Sequence, residues 1–149
     1  MPDSEPARYL VDTNVLSASA PGKAAHDRLA HWMHANSDAL HLSVVTLAEV
    51  EVRIAKAKRV GATRKARELA EWLEMVVHLY RDKVIPIDAA IARAAGRLLD
   101  AVRGQGREPG LADMLIAGTA QVHDLTVLTR NVKDFAGCEV SVLDPFEAG

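Results

Sequence analysis

Asp12, Glu49 and Asp113 stand where carboxylates can do chemistry in this 149-residue chain. Asp12 directly follows the apolar run Tyr9-Leu10-Val11. Glu49 lies one turn into the helical pattern after a second apolar run. Asp113 opens the helical pattern that leads to a fourth such run, and Asn131 and Asp134 come just after it. If the runs are parallel strands of one sheet, these positions share the edge formed by the strand carboxyl ends, where such sheets bind ligands. Acids gathered there repel and raise one another's pKa unless a cation neutralises them. A set of oxygen ligands without His or Cys favours a hard ion, Mg²⁺ or Mn²⁺, that keeps several of its waters. Such an ion suits phosphodiester hydrolysis: it acidifies a bound water, sets it in line and stabilises the leaving oxygen. Taken singly, each acid also has an ordinary structural use. Asp12 can form an Asx turn, Glu49 can be a helix-surface charge, and Asp113 can cap a helix. Their joint placement is what points to a site.

The elements that must position these acids follow from periodicity and punctuation. Tyr9-Leu10-Val11 reads as a buried strand ending at the polar turn Asp12-Thr13-Asn14. Pro21-Gly22 opens a helix over 23–35 with Leu29, Trp32 and Met33 inward. A second strand spans 41–45, and Thr46 caps a helix in which Leu47, Val50 and Ile54 recur. Gly61-Ala62-Thr63 breaks that helix and caps another to about Tyr80. A third strand covers 83–87, and Asp88 caps a helix to about Arg103. Residues 104–110 are a loop by composition. A helix over 112–123, a strand over 126–129 and a short strand over 139–143 complete the chain. Strands alternating with helices predict an α/β domain with a mainly parallel sheet. Length predicts one domain, residues 8–149, preceded by a loose tail over 1–7.

Composition narrows the function. With 49% hydrophobic and 26% charged residues the chain reads as an ordinary soluble domain. Aromatic residues make up only 4%, which argues against an RNA-binding platform built on base stacking. The net charge is −2, yet seven basic residues and no acid fall between Val52 and Arg67. That patch, with Arg53 and Lys56, is either a solvated helix surface or a contact for phosphates or a partner. Cys138 is the single cysteine, which excludes an intrachain disulfide and suits a reducing cytoplasm. No signal sequence and no membrane-length apolar run is expected.

Four strings now become specific: Tyr-Leu-Val-Asp12-Thr-Asn-Val-Leu, Ser43-Val-Val-Thr-Leu-Ala-Glu49, Ala112-Asp113-Met-Leu-Ile-Ala-Gly-Thr-Ala and Val127-Leu-Thr-Arg-Asn131-Val-Lys-Asp134-Phe. In content and order the chain resembles PIN-domain proteins, most of all their VapC and FitB branch, from Tyr9 to the closing Asp144-Pro145-Phe146. The resemblance implies a three-layer α/β/α sandwich around a mainly parallel sheet of four to five strands. It implies a cytoplasmic, homodimeric Mg²⁺-dependent endoribonuclease toxin, with Mn²⁺ as an alternative ion. Its partners would be a VapB-like antitoxin, an RNA substrate, and promoter DNA only through the antitoxin. By position, Asp12, Glu49 and Asp113 would hold the metal, Thr13 and Thr129 would line the site, and Asn14 would support the first turn. Asn131 departs from the pattern, since that slot often carries a fourth acid, and Asp134 lies one helical turn beyond it. Arg107, in the loop before Asp113, is a candidate RNA or antitoxin contact, as are Arg53 and Lys56.

Other constellations fall away. His26, His31 and His34 lack the Glu of a zinc-hydrolase helix, and His123-Asp124 lacks the partners of an HD phosphohydrolase. Gly104-x-Gly106 follows a helix, not the strand that a dinucleotide fingerprint needs. Two other classes of function remain open. One is a PIN-fold interaction module with weak or no catalysis, acting through a partner. The other is a small phosphatase, although Asn14 stands where its second Asp would be.

Overall fold

The computed structural model describes residues 6–20 and 26–147. Most of the expected tail, the Pro21-Gly22 opening and the start of the expected helix at Lys23 lie outside these residues. The chain runs β1 (Tyr9–Val11), α1 (Thr13–Ala18), α2 (His26–Ala35), β2 (Leu40–Ser43), α3 (Val44–Arg59), α4 (Thr63–Leu79), β3 (Val84–Ile85), α5 (Ala89–Gly104), α6 (Leu111–His123), β4 (Thr126–Leu128) and β5 (Val142–Leu143). Short 3₁₀ turns occupy Ser37–Ala39, Arg81–Lys83 and Val132–Phe135.

All strand pairs are parallel, and the five strands lie in the order β3-β2-β1-β4-β5. Strand side chains alternate, so each strand feeds two cores. Val11 and Leu128 pack with α1, α2, α3 and α4 on one face. Their neighbours Leu10 and Val127 pack with α5 and α6 on the other. The result is the expected three-layer sandwich with a sheet buried on both sides, which is why its strands read as unbroken apolar runs. Chain order reverses between β1 and β4, so a crevice opens at the carboxyl ends of those two strands. Among the described residues, no helix is long and apolar enough to cross a membrane.

Several boundaries differ from the sequence expectations. Asp12 does not merely end a strand at a turn. It caps the six-residue helix α1, its carboxylate accepting from Thr13 N at 2.8 Å and its carbonyl from Val15 and Leu16. A helix this short shows no periodicity, and burial of Val15, Leu16 and Ala18 is what sustains it. The cap of α3 is Ser43, whose Oγ accepts from Val45 N at 3.0 Å, so β2 ends there and Val44 and Val45 are helical. Thr46 is instead fully buried inside that helix. Thr63 begins α4 without any side-chain cap. β3 shrinks to two residues because Lys83 joins a 3₁₀ turn and Pro86 has no N–H to donate to a ladder. β5 likewise starts only at Val142, since Glu139 has φ of 52° and cannot continue a strand. Asp88 caps α5 as expected, accepting from Ile91 N at 2.9 Å.

Gly118 sets how closely α6 approaches α5. A Cβ there would meet Ala95 N and Ile91 O, both backbone atoms, at 3.0 Å. Neither can rotate away, so a branched side chain must push the helices apart. Gly118→Val is expected to destabilise the protein by about 1–3 kcal/mol, the usual cost of overpacking, measured by urea denaturation.

Candidate active site

Asp12 sits at the end of β1, beside the crevice, and is 6% exposed. Removing a carboxylate from water is costly unless donors replace the water. Three do so here. Thr13 N donates to Oδ1, while Thr129 Oγ1 donates to Oδ2 at 2.9 Å and Asn14 Nδ2 to the same oxygen at 3.2 Å. Burial nevertheless dominates and raises the Asp12 pKa. Bonds from Thr129 and Thr13 oppose that rise, and the charges of Glu49 and Asp134 add to it.

Thr129 follows β4, is fully buried and works on three sides. Besides donating to Asp12, its hydroxyl accepts from Asn14 Nδ2 at 3.2 Å and from Asn131 N at 3.0 Å. Asn14 Oδ1 accepts from Arg130 N at 3.1 Å, so α1 and the end of β4 are laced together around the Asp12 carboxylate. On the far side, Thr13 Oγ1 donates to Glu49 Oε1 at 2.6 Å and lies 3.2 Å from Thr46 Oγ1. Thr13 thus bridges α1 to α3 and holds Glu49 at the crevice.

Asp113, in the first turn of α6, enters from the opposite layer. Burial, then the charges of Asp12, Asp134 and Glu49, push its carboxyl up to about 6. Asp12 and Asp113 therefore both feel the charges of Glu49 and Asp134 across the mouth of the crevice. Among the described residues no three His, Cys, Asp or Glu side chains converge closely enough to form a finished metal cage. The donors are carboxylate oxygens around an open mouth, which fits a hard ion that fills most of its shell with water. Asp134 faces Asp113 across a cleft of 280 Å³. Asn131 lies exposed beside it, and its recorded bond to the site is made by its backbone N–H.

Arg107 lines that cleft, partly exposed, but its guanidinium is not free. Its guanidinium donates to Ala136 O, and to Lys133 O at 2.8 Å, tying the loop before α6 to the turn that carries Asp134. Arg53 and Lys56 lie elsewhere, on a 360 Å³ groove between α1, α3 and α4 that also has Lys65, Val50 and Trp72 in its wall. Arg53 donates to Ser17 of α1 there and stands one helical turn beyond Glu49. Sequence reasoning missed the part played by Thr46, reading it as a cap. It also passed over Arg130, although the Thr129-Arg130-Asn131 string directly after a strand was a signal for both Thr129 and its neighbour.

Two outcomes follow from this geometry. Thr129→Val strips Asp12 of a donor and orphans Asn131 N. It should cost about 1–3 kcal/mol in urea denaturation near neutral pH, with Thr129→Ser close to wild type. The second concerns Asp113. A carboxyl whose pKa rises on folding from 3.8 to about 6 adds stability below the lower value and loses it as pH climbs through the upper one. In metal-free buffer Asp113→Asn should therefore melt above wild type at pH 7.5, with the gap closing towards pH 4, as read by melting curves across that range.

The chain as a whole is similar to known proteins. Residues 9–136 match the PIN domain. Toxin FitB of Neisseria gonorrhoeae is 30% identical over 139 residues, covering 92% of this chain and 97% of its own. Ribonuclease VapC10 of Mycobacterium tuberculosis is 36% identical over 128 residues, covering 85% and 84%. The crystal structure of FitAcB from Neisseria gonorrhoeae superposes with a TM-score of 0.79 at 30% identity, over 93% of this chain and 98% of that one. A structure of FitAB bound to an IR36 DNA fragment gives 0.76 at 28% identity, over 93% and 95%.

Proposed function

This chain belongs to the PIN domain family, and from that premise we propose that it is a Mg²⁺-dependent endoribonuclease, the toxin half of a VapBC-type toxin–antitoxin pair. The observation that supports this most is the rise of the Asp113 pKa through burial and the charges of Asp12, Asp134 and Glu49 at the switch point of a parallel sheet. At neutral pH such a set is stabilised by a cation, and its all-oxygen chemistry selects a hard one. Asp12, Glu49 and Asp113 would hold Mg²⁺, or Mn²⁺ in its place, and Asp134 takes the acidic role that Asn131 leaves open. When bound, the ion supplies charge stabilisation and a more acidic water. The remaining work falls to side chains. Thr129 and Thr13 favour the charged form of Asp12 against its burial, and with Asn14 they hold the carboxylate in one orientation. Glu49, with one oxygen taken by Thr13, has the other to reach the ion or to orient the attacking water.

The basic groove between α1, α3 and α4 suits an antitoxin segment that is apolar on one side and acidic on the other. Arg53, Lys56 and Lys65 complement its charge, and Val50 and Trp72 its apolar side. A partner seated there lies one helical turn from Glu49 and screens the site. Promoter DNA would be reached only through that antitoxin, as a complex of toxin homodimers in the cytoplasm. We take residues 8–149 as its single domain, with 1–7 as a tail.

Asp12→Asn keeps the capping acceptor but loses the charge. It should lower Mg²⁺-dependent RNA cleavage by more than the ~100-fold that loss of a metal's outer-shell partner costs, with an unchanged circular-dichroism spectrum. Cleavage at the wild-type rate by the purified variant would overturn the site assignment.

A further inference from the structure

An acidic centre repels the polyanion it is meant to cut, so the substrate needs fixed positive charge beside it. Several cations of this chain do not supply that. Arg107 is spent on two backbone carbonyls, Arg53 is bonded to Ser17 at the separate groove, and Arg64 and Arg103 are paired with Glu68 and Glu108. Arg130 differs. It follows Thr129 directly, and its backbone N–H is held by Asn14 Oδ1, the same amide that donates to Asp12. Its guanidinium carbon stands 4.4 Å from the centroid of the Phe146 ring. Phe146 is itself partly buried against the core, beyond the end of β5.

A guanidinium lying over a ring spends one face on the π system. Its N–H donors radiate in the plane and stay open to solvent. Among the described residues Arg130 has no side-chain hydrogen bond and no acidic partner, although acids lie within a few residues. The charge is thus placed by the ring and not neutralised, at the sheet edge that carries Asp12. We propose that Arg130, held by Phe146, binds a phosphate of the RNA backbone next to the one being cleaved. This rests on the ribonuclease reading and adds to it the residue that anchors the substrate against the repulsion of the acids. Arg donates to phosphate in a fork, which a point charge on a flexible stem does not reproduce. Phe146 is the positioning residue for that contact. It restricts the guanidinium before RNA arrives and so reduces the ordering cost of binding.

The test uses single-stranded, fluorescein-labelled RNA and fluorescence anisotropy over a range of NaCl, with cleavage suppressed by Asp12→Asn in Mg²⁺ buffer. Adding Arg130→Ala should weaken binding by about tenfold, the size of one charge-assisted contact, and flatten the log K against log salt slope by about 0.7. Arg130→Lys should keep the slope and lose part of the affinity. Phe146→Leu should also keep the slope, because the charge remains, while binding weakens as the guanidinium loses its platform. In the cleavage-competent protein Arg130→Ala should raise KM far more than it lowers kcat. The Asn14 bond is to the Arg130 backbone and survives both Arg130 substitutions, so for those two variants the melting temperature and the Mg²⁺ affinity should not move. Equal affinity and equal salt slope for the Arg130→Ala protein and its parent would overturn the assignment alone. Absence of RNA binding by the parent would overturn the ribonuclease reading with it.

Discussion

The burial of the Asp12 carboxylate at the seam between β1 and β4 organises the rest of this structure. A charge so placed is tolerated only if donors surround it, and the donors come from separate parts of the chain: the first turn of α1 and the residue after β4. Satisfying one side chain therefore fixes how α1 leaves the sheet and where β4 ends. It also places Asn131 and Arg130, which are tied to the same Thr129 and Asn14. The network is polar and enclosed, so each member is costly to leave unpaired, and that cost gives the crevice one geometry in place of several.

Against this rigid centre the acids from the other layers are held in tension. Glu49 is drawn in by Thr13, while Asp113 enters on the first turn of α6, whose approach is set by the contact of Gly118 with the backbone of α5. Asp134 reaches the cleft on a short turn anchored in the core by Phe135. Arg107 adds to that anchor by holding two carbonyls there. Gln105 packs against Gly137, where φ is +81° and a Cβ would come within 2.5 Å of the amide. The scaffold thus supports a cluster of like charges that would relax apart on a looser frame. That is the arrangement expected where a protein gives up stability for a binding site.

Much of this was legible in the residues themselves. The buried parallel strands announced themselves as short apolar runs, and Asp88 and the Gly61 break marked helix ends correctly. Asp12, Glu49 and Asp113 could be singled out because each follows or opens an element whose type was readable. The misreadings share one cause. Val44 and Val45 favour extended structure locally, yet the Ser43 cap and the pull of α3 onto the core make them helical. Helix α1 is too short to show a period, and tertiary burial alone sustains it. Thr46 looked like a cap because a hydroxyl near a helix start usually is one, whereas here its partner is Thr13, 33 positions away.

By itself the sequence determined the α/β class and the parallel sheet and picked out the candidate acids, since these follow from local periodicity, punctuation and the order of motifs along the chain. Only the tertiary structure decided how those acids act on one another. It brought Asp134 into the electrostatic field of Asp113, left the Asn131 amide at the rim, and turned Arg107 from a surface charge into a clamp. It also put Phe146 under Arg130. The reason is range. Strand and helix preferences are carried by neighbours in the chain, but repulsion, burial and stacking act through space between residues that the sequence sets far apart.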